Sequence, residues 1–184
     1  MSGLAFCLVA LSFGAGCSKD VVKETEREKR WVCDKEADEA MLRQDYEASI
    51  LLHQRFLQEK PGNGLAMYHL GFAYGQIEDH MKEVSYYEKA ISLGFNRNHI
   101  FFNLGMAYGE LNQTDNSIRA FEKALNNDPG NLDARLHLSM LYADMGDMQK
   151  AREQLHRILE MDPTHAQARQ LLESMENGKG GVHK

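Results

Sequence analysis

The chain has 184 residues, of which 43% are hydrophobic and 26% charged, with a net charge of −6. That is the size and apolar content of one domain. An acidic balance of this kind disfavours nucleic-acid binding, which needs cations set against phosphates.

At the amino terminus no charged residue precedes Lys19. Leu4 to Phe13 is largely apolar and leads into Gly14-Ala15-Gly16-Cys17. About a dozen apolar residues cannot span a bilayer but suit the core of a signal peptide. Small residues directly before a cysteine resemble the bacterial lipoprotein signal. The resemblance implies a signal peptide over 1–16 and a diacylglycerol thioether on Cys17. Because Ser18 rather than Asp follows, it also implies an outer-membrane address facing the periplasm. Gly14 departs from the family, which prefers Leu there, as does the lack of Lys or Arg before the apolar run. Cleavage would remove Cys7 and leave Cys33 as a free, packed thiol, with no disulfide to form. Cys17 and the charged stretch that follows, 17–29, read as a lipidated tether.

A pattern then returns at an interval of 34: Leu70-Gly71-Phe72-Ala73-Tyr74, Leu104-Gly105-Met106-Ala107-Tyr108, Leu138-Ser139-Met140-Leu141-Tyr142. Pro129 and Pro163 are also 34 apart, and Pro61 lies twice that before Pro129. Such a period marks a stack of similar units. It divides the chain into 30–63, 64–97, 98–131 and 132–165 without a gap. A hydrophobic period near 3.6 in each half-unit predicts helices over 30–44, 47–59, 64–78, 81–93, 98–112, 115–127, 132–145 and 148–160. A ninth, 166–177, reads as a cap with Ala166, Ala168, Leu171, Leu172 and Met175 inward. The tail 178–184 is rich in Gly and Lys and is expected to be disordered.

The pattern resembles the tetratricopeptide repeat, which has Leu-Gly at places 7 and 8, Tyr at 11, Ala at 20 and 27, an aromatic at 24 and Pro at 32. Unit three carries Phe101, Leu104, Gly105, Tyr108, Phe121, Ala124 and Pro129. Unit two lacks the proline, and Gly94 is expected to stop its second helix. Unit one is the most divergent, with Ala37, Ala40 and Pro61. Glu36, Glu83 and Arg135 stand where the family has apolar residues. The resemblance implies an all-α fold: a right-handed α-solenoid of about four helix hairpins and a carboxy-terminal capping helix.

It also implies that places 2, 5, 9 and 12 line a concave groove. The expected protein-binding residues are Leu65, Tyr68, Phe72, His99, Phe102, Met106, Leu136 and Met140. This surface is apolar, of the kind that marks a partner site. Asp34, Asp38, Glu110 and Asp144 are expected as an acidic margin. The Lys, Arg and Asn with which co-chaperone relatives grip a terminal carboxylate do not stand at these places. An apolar or amphipathic partner segment, bearing Lys or Arg, is therefore expected.

No His-Glu-x-x-His, glycine-rich phosphate loop or Gly-x-Ser-x-Gly elbow occurs, so no catalytic residue is assigned and the chain is not expected to be an enzyme. None of the eight histidines has metal-ligand spacing. His69 and His137 read as groove-edge or surface residues. No metal, cofactor, small-molecule substrate or nucleic-acid partner is expected. The resemblance points to a membrane-anchored scaffold for envelope assembly, similar to the pilotins of type IV pilus secretins. The alternatives are an adaptor for β-barrel assembly or for peptidoglycan enzymes and proteases, and a self-associating structural protein.

Overall fold

The structure, a computed structural model, describes residues 33–176. The signal, Cys17, the tether and the tail lie outside them. Nine α-helices and no strand occur among the described residues: α1 (Lys35–Leu42), α2 (Tyr46–Glu59), α3 (Gly64–Gln76), α4 (His80–Ser92), α5 (Asn98–Glu110), α6 (Thr114–Asn127), α7 (Leu132–Asp144), α8 (Met148–Met161) and α9 (Ala166–Glu176). Each packs on its neighbour in sequence, and α3 also meets α5. This is the nearest-neighbour pattern of a helical repeat stack, and the all-α class expected from the sequence is the one found. None of these helices is long and apolar enough to cross a membrane.

The helix ends keep the 34-residue clock. Asp45, Asp79 and Asp147 each accept the N–H three residues on, at 3.2, 3.2 and 3.1 Å. Asn63 and Asn131 do the same for α3 and α7, both at 2.9 Å. In unit three these phases hold Arg97 and Gln113, and neither makes a side-chain cap bond. The turn inside each unit is one repeated motif. Gln44, Glu78, Asn112 and Gly146 have φ of 61°, 63°, 56° and 82°. The next N–H reaches back over the turn, as from Asp79 to the Tyr74 carbonyl at 2.9 Å. That left-handed residue with its long return bond is a Schellman ending. Only Gly146 adopts it without a Cβ penalty. Gly94, at φ +86°, closes α4 one residue before Phe95, which holds the place of the proline.

The first helix was expected from residue 30 but begins at Lys35. Asp34 is extended, and its carboxylate takes the Ala37 N–H at 3.0 Å, which fixes the start. From α2 onward the ends fall within two residues of those expected.

Small residues set the distance between paired helices. A Cβ on Gly71 would lie 2.5 Å from the Tyr87 ring, and one on Gly105 2.9 Å from Phe121. Ser49 and Ser117 donate their hydroxyls across the same seam, to the carbonyls of Ala37 and Gly105 at 3.1 and 2.7 Å. The repeat tyrosines reach the preceding unit. Tyr74 accepts from Gln54 at 3.0 Å, while Tyr108 and Tyr142 donate to Glu88 and Glu122 at 2.5 and 3.0 Å. Burial, together with the carboxylate acceptors, pushes both of those phenols up to about 12. The departures from apolar places are accommodated individually. Glu36 is exposed beside Arg55, and Arg135 donates to the Pro129 carbonyl and to Gln154. Buried Glu83 meets Nδ1 of His80 at 2.8 Å.

At the carboxy end Ala168 and Leu172 of α9 close over Leu136, Leu155 and Ile158. Ala166, expected inward, is exposed because it opens the helix before the first turn reaches α8.

Candidate functional site

The expected groove residues separate into three environments. Tyr68 is a packing residue at least as much as a surface one. Its ring stacks on Tyr87 and Phe95 at 5.6 and 5.1 Å and meets His99 edge-on at 5.1 Å. Desolvation raises its phenol to about 12. His99 is half-buried, and burial, then Arg97, pushes its pKa below the usual value. Leu136 is 6% exposed and packs against α8 and α9, so it offers no surface to a partner. The capping helix draws it inward, an effect with no counterpart in units two and three.

Leu65, Phe72, Phe102 and Met106 are partly exposed, and Met140 is 40% exposed. Phe72 meets Tyr46 edge-on at 6.4 Å. Phe102 lies edge-on to Phe121 and His137 at 5.6 and 5.8 Å.

Between α5, α6 and α7 the surface opens into a cleft of about 220 Å³. Met106, Met140 and Leu141 make its apolar walls, with Phe121 and His137 among the other lining residues. His137 stacks flat on Phe121 at 5.4 Å, and burial lowers its pKa, so its ring is held neutral near pH 7. Glu110 and Asp144 line the same cleft and are exposed to solvent. Gly109 makes the opening: a Cβ there would meet only Ser117 Oγ, at 3.8 Å. One unit earlier the equivalent place is Gly75, and the Glu83 carboxylate occupies the space, 2.6 Å from where a Cβ would lie.

Tetratricopeptide-repeat family models match residues 65–94 and 110–175. The repeats are tetratricopeptide repeats. Neither matching model describes a catalytic domain. No curated protein matches the sequence. Among solved structures, MamA superposes with a TM-score of 0.75 at 22% identity, over 81% of this chain and 87% of MamA. YrrB, a TPR protein with an unusual peptide-binding site, gives 0.73 at 21%, over 85% of this chain and 82% of YrrB. MamA from Desulfovibrio magneticus RS-1 gives 0.71 at 16%, over 89% and 86%. At these identities the tetratricopeptide fold is what is shared. The coarse functional class that goes with it is a protein-interaction scaffold.

Only half of the expected acidic margin is free to act as one. Glu110 and Asp144 flank the cleft, whereas Asp34 caps α1 and Asp38 turns toward His53 and His69. His69 is not a surface residue: it is 6% exposed, and His53 beside it is 0% exposed. The sequence did carry a signal for this contact. His53 shares a phase with Tyr87 and Phe121, and His69 shares one with Asn103 and His137. Asn103 bonds Tyr87 at 3.4 Å and His137 stacks on Phe121, so the same pair of places touches at every junction.

Proposed function

We propose that the chain is a membrane-anchored scaffold that captures an amphipathic segment of a partner protein. One large apolar side chain of that segment enters the cleft between Met106 and Met140. A neighbouring Lys or Arg meets Glu110 and Asp144. The observation that supports this is an apolar cleft, lined in part by His137, whose pKa burial lowers, and edged by two solvent-exposed carboxylates. Its volume is below the roughly 300 Å³ at which small-molecule sites begin, and side-chain capture suits it better. Methionine walls adapt to different apolar groups. The carboxylates favour basic segments and repel acidic tails, which sets specificity and encounter rate more than affinity.

Anchoring at Cys17 rests on the sequence resemblance. It would confine the search to a surface and raise the effective concentration of the partner. Envelope assembly of the pilotin kind is the process we assign.

A photo-crosslinker placed at Met140 in native membranes tests the capture. A discrete adduct is expected, lost when Glu110 and Asp144 are both changed to Lys. An adduct indifferent to that charge reversal would refute the site. Intact-mass measurement of the native protein against Cys17→Ala tests the anchor, and an unlipidated native chain would remove it.

A further inference from the structure

We propose that Asp38, His53 and His69 form a divalent-metal site, suited to Zn²⁺, that ties α1, α2 and α3 together. No local metal-ligand spacing marks it, because the three ligands come from three helices and two repeats.

Hydrogen positions follow from the surroundings. His53 Nδ1 lies 2.9 Å from the Ser49 carbonyl oxygen, which can only accept. That nitrogen therefore carries a hydrogen, and the Ser49 hydroxyl, 3.2 Å away, can turn its lone pair toward it. The other nitrogen, Nε2, faces Asp38 Oδ1 and His69 Nδ1, both at 3.2 Å. Those two atoms are themselves 2.8 Å apart. His53 Nε2 and Asp38 Oδ1 each bring a lone pair to one point in a buried seam, and His69 Nδ1 brings a third when the hydrogen of that ring sits on Nε2. A cation at the centre accepts all three.

The dimensions agree with zinc. A triangle of sides 2.8, 3.2 and 3.2 Å has its corners roughly 1.8 Å from its centre. An ion about 1 Å out of that plane lies about 2.0–2.1 Å from each corner, the length of Zn–N and Zn–O bonds. The Ser49 carbonyl supplies the outer contact that holds a ligating imidazole in one tautomer and orientation. Two imidazoles and a carboxylate suit zinc, whereas calcium and magnesium take shells of oxygen. Three protein ligands leave a fourth place, for water or for a thiolate. Cys33, five residues before Asp38 in the chain, is the thiol nearest in sequence.

The site also explains the divergence of the first repeat. At the phase of His53 the other units carry Tyr87, Phe121 and Leu155, all at most 1% exposed. In unit one a metal would supply the cohesion that those side chains supply by packing.

The test uses the full, untagged chain stripped with a chelator and titrated with Zn²⁺ against a competing indicator. One equivalent is expected to bind and to raise Tm by about 5 °C or more at saturating metal. Asp38→Asn and His69→Gln should each weaken binding at least tenfold while keeping the helical circular dichroism. They stand in for His53→Gln if that variant fails to fold. A His156→Gln/His165→Gln control should bind as the parent does. Co²⁺ in place of zinc should give the intense visible bands of a tetrahedral site, with or without a thiolate band. Failure to retain metal at micromolar free Zn²⁺ would overturn the proposal. So would binding unchanged in Asp38→Asn and His69→Gln, lost in the His156/His165 control, or a weak octahedral Co²⁺ spectrum.

Discussion

Adding one methyl group to Gly71 and to Gly109 should change stability in opposite directions. Both glycines lie in the first helix of their unit, and alanine favours a helix interior over glycine by up to about 1 kcal/mol. Their surroundings decide the rest. The new Cβ at Gly71 would sit 2.5 and 2.6 Å from two carbons of the Tyr87 ring. That ring is 1% exposed, stacks on Tyr68 and accepts from Asn103, so it has nowhere to swing. Relief requires helices α3 and α4 to part by about 1 Å, and overpacking of this kind costs about 1–3 kcal/mol. Gly71→Ala is therefore expected to be destabilised by about 1–2 kcal/mol after the helical gain is subtracted. At Gly109 the nearest atom is Ser117 Oγ at 3.8 Å, ordinary contact. Gly109→Ala keeps the helical gain, about 0.5 kcal/mol so near the end of α5. Urea unfolding followed by far-ultraviolet circular dichroism measures both, with thermal shifts of roughly 2–4 °C per kcal/mol as a second reading. A Gly71→Ala chain as stable as the parent, or two variants that shift together, would show that helix spacing is not set by these contacts.

Unit three lacks both caps, so Gln113→Asp, which restores the residue of the other units at that phase, should stabilise by about 1 kcal/mol; an unchanged urea midpoint would argue against it. Tyr108→Phe removes the bond to Glu88 and should cost about 1 kcal/mol; in a spectrophotometric titration it should also remove one phenol from the class ionising near pH 12. Burial pushes the Glu83 carboxyl above its usual 4.5, against the opposing bond from His80. The folded chain then holds that proton more tightly than the unfolded one. The stabilisation is complete below pH 4.5 and is lost as pH rises through the folded value. Relative to Glu83→Gln, the parent should lose stability across that window, and a parent that gains there would reverse the sign.

The fold was legible because a repeat states the same instruction several times. Tyr74, Tyr108 and Tyr142 fixed the phase, and the phase fixed the helices from α2 onward. The caps and the left-handed turn residues obey the same clock, yet Gln44, Glu78 and Asn112 do not look alike. Their common feature is backbone geometry imposed by the turn, which side-chain chemistry does not announce. The start of α1 was misplaced because its signal is a single capping carboxylate, Asp34, in the most divergent unit. The candidate docking residues were the least legible. Phase names a face of a helix, but exposure depends on what covers that face. Leu136 and Met140 lie on neighbouring turns of one face, yet α9 draws Leu136 into its cluster and leaves Met140 open.

The period has a second consequence, which concerns specificity. The same places meet at each junction between units, but different side chains occupy them. At the first junction they are His53, His69 and Asp38, a polar cluster with almost no room for solvent. At the second Tyr87 and Asn103 meet, Phe72 stands at the phase of Asp38, and Glu83 fills the gap left by Gly75. At the third they are Phe121, His137 and Met106, and Gly109 leaves the gap open. A stack with identical units would present the same shallow contact three times. This one closes two junctions and opens the third, between two carboxylates. On the function proposed above, a partner segment has one register in which an apolar side chain finds depth and a basic side chain finds charge. Sliding it back by one repeat would set its apolar side chain over the filled Gly75 site, and by two repeats over the buried His53 and His69 cluster.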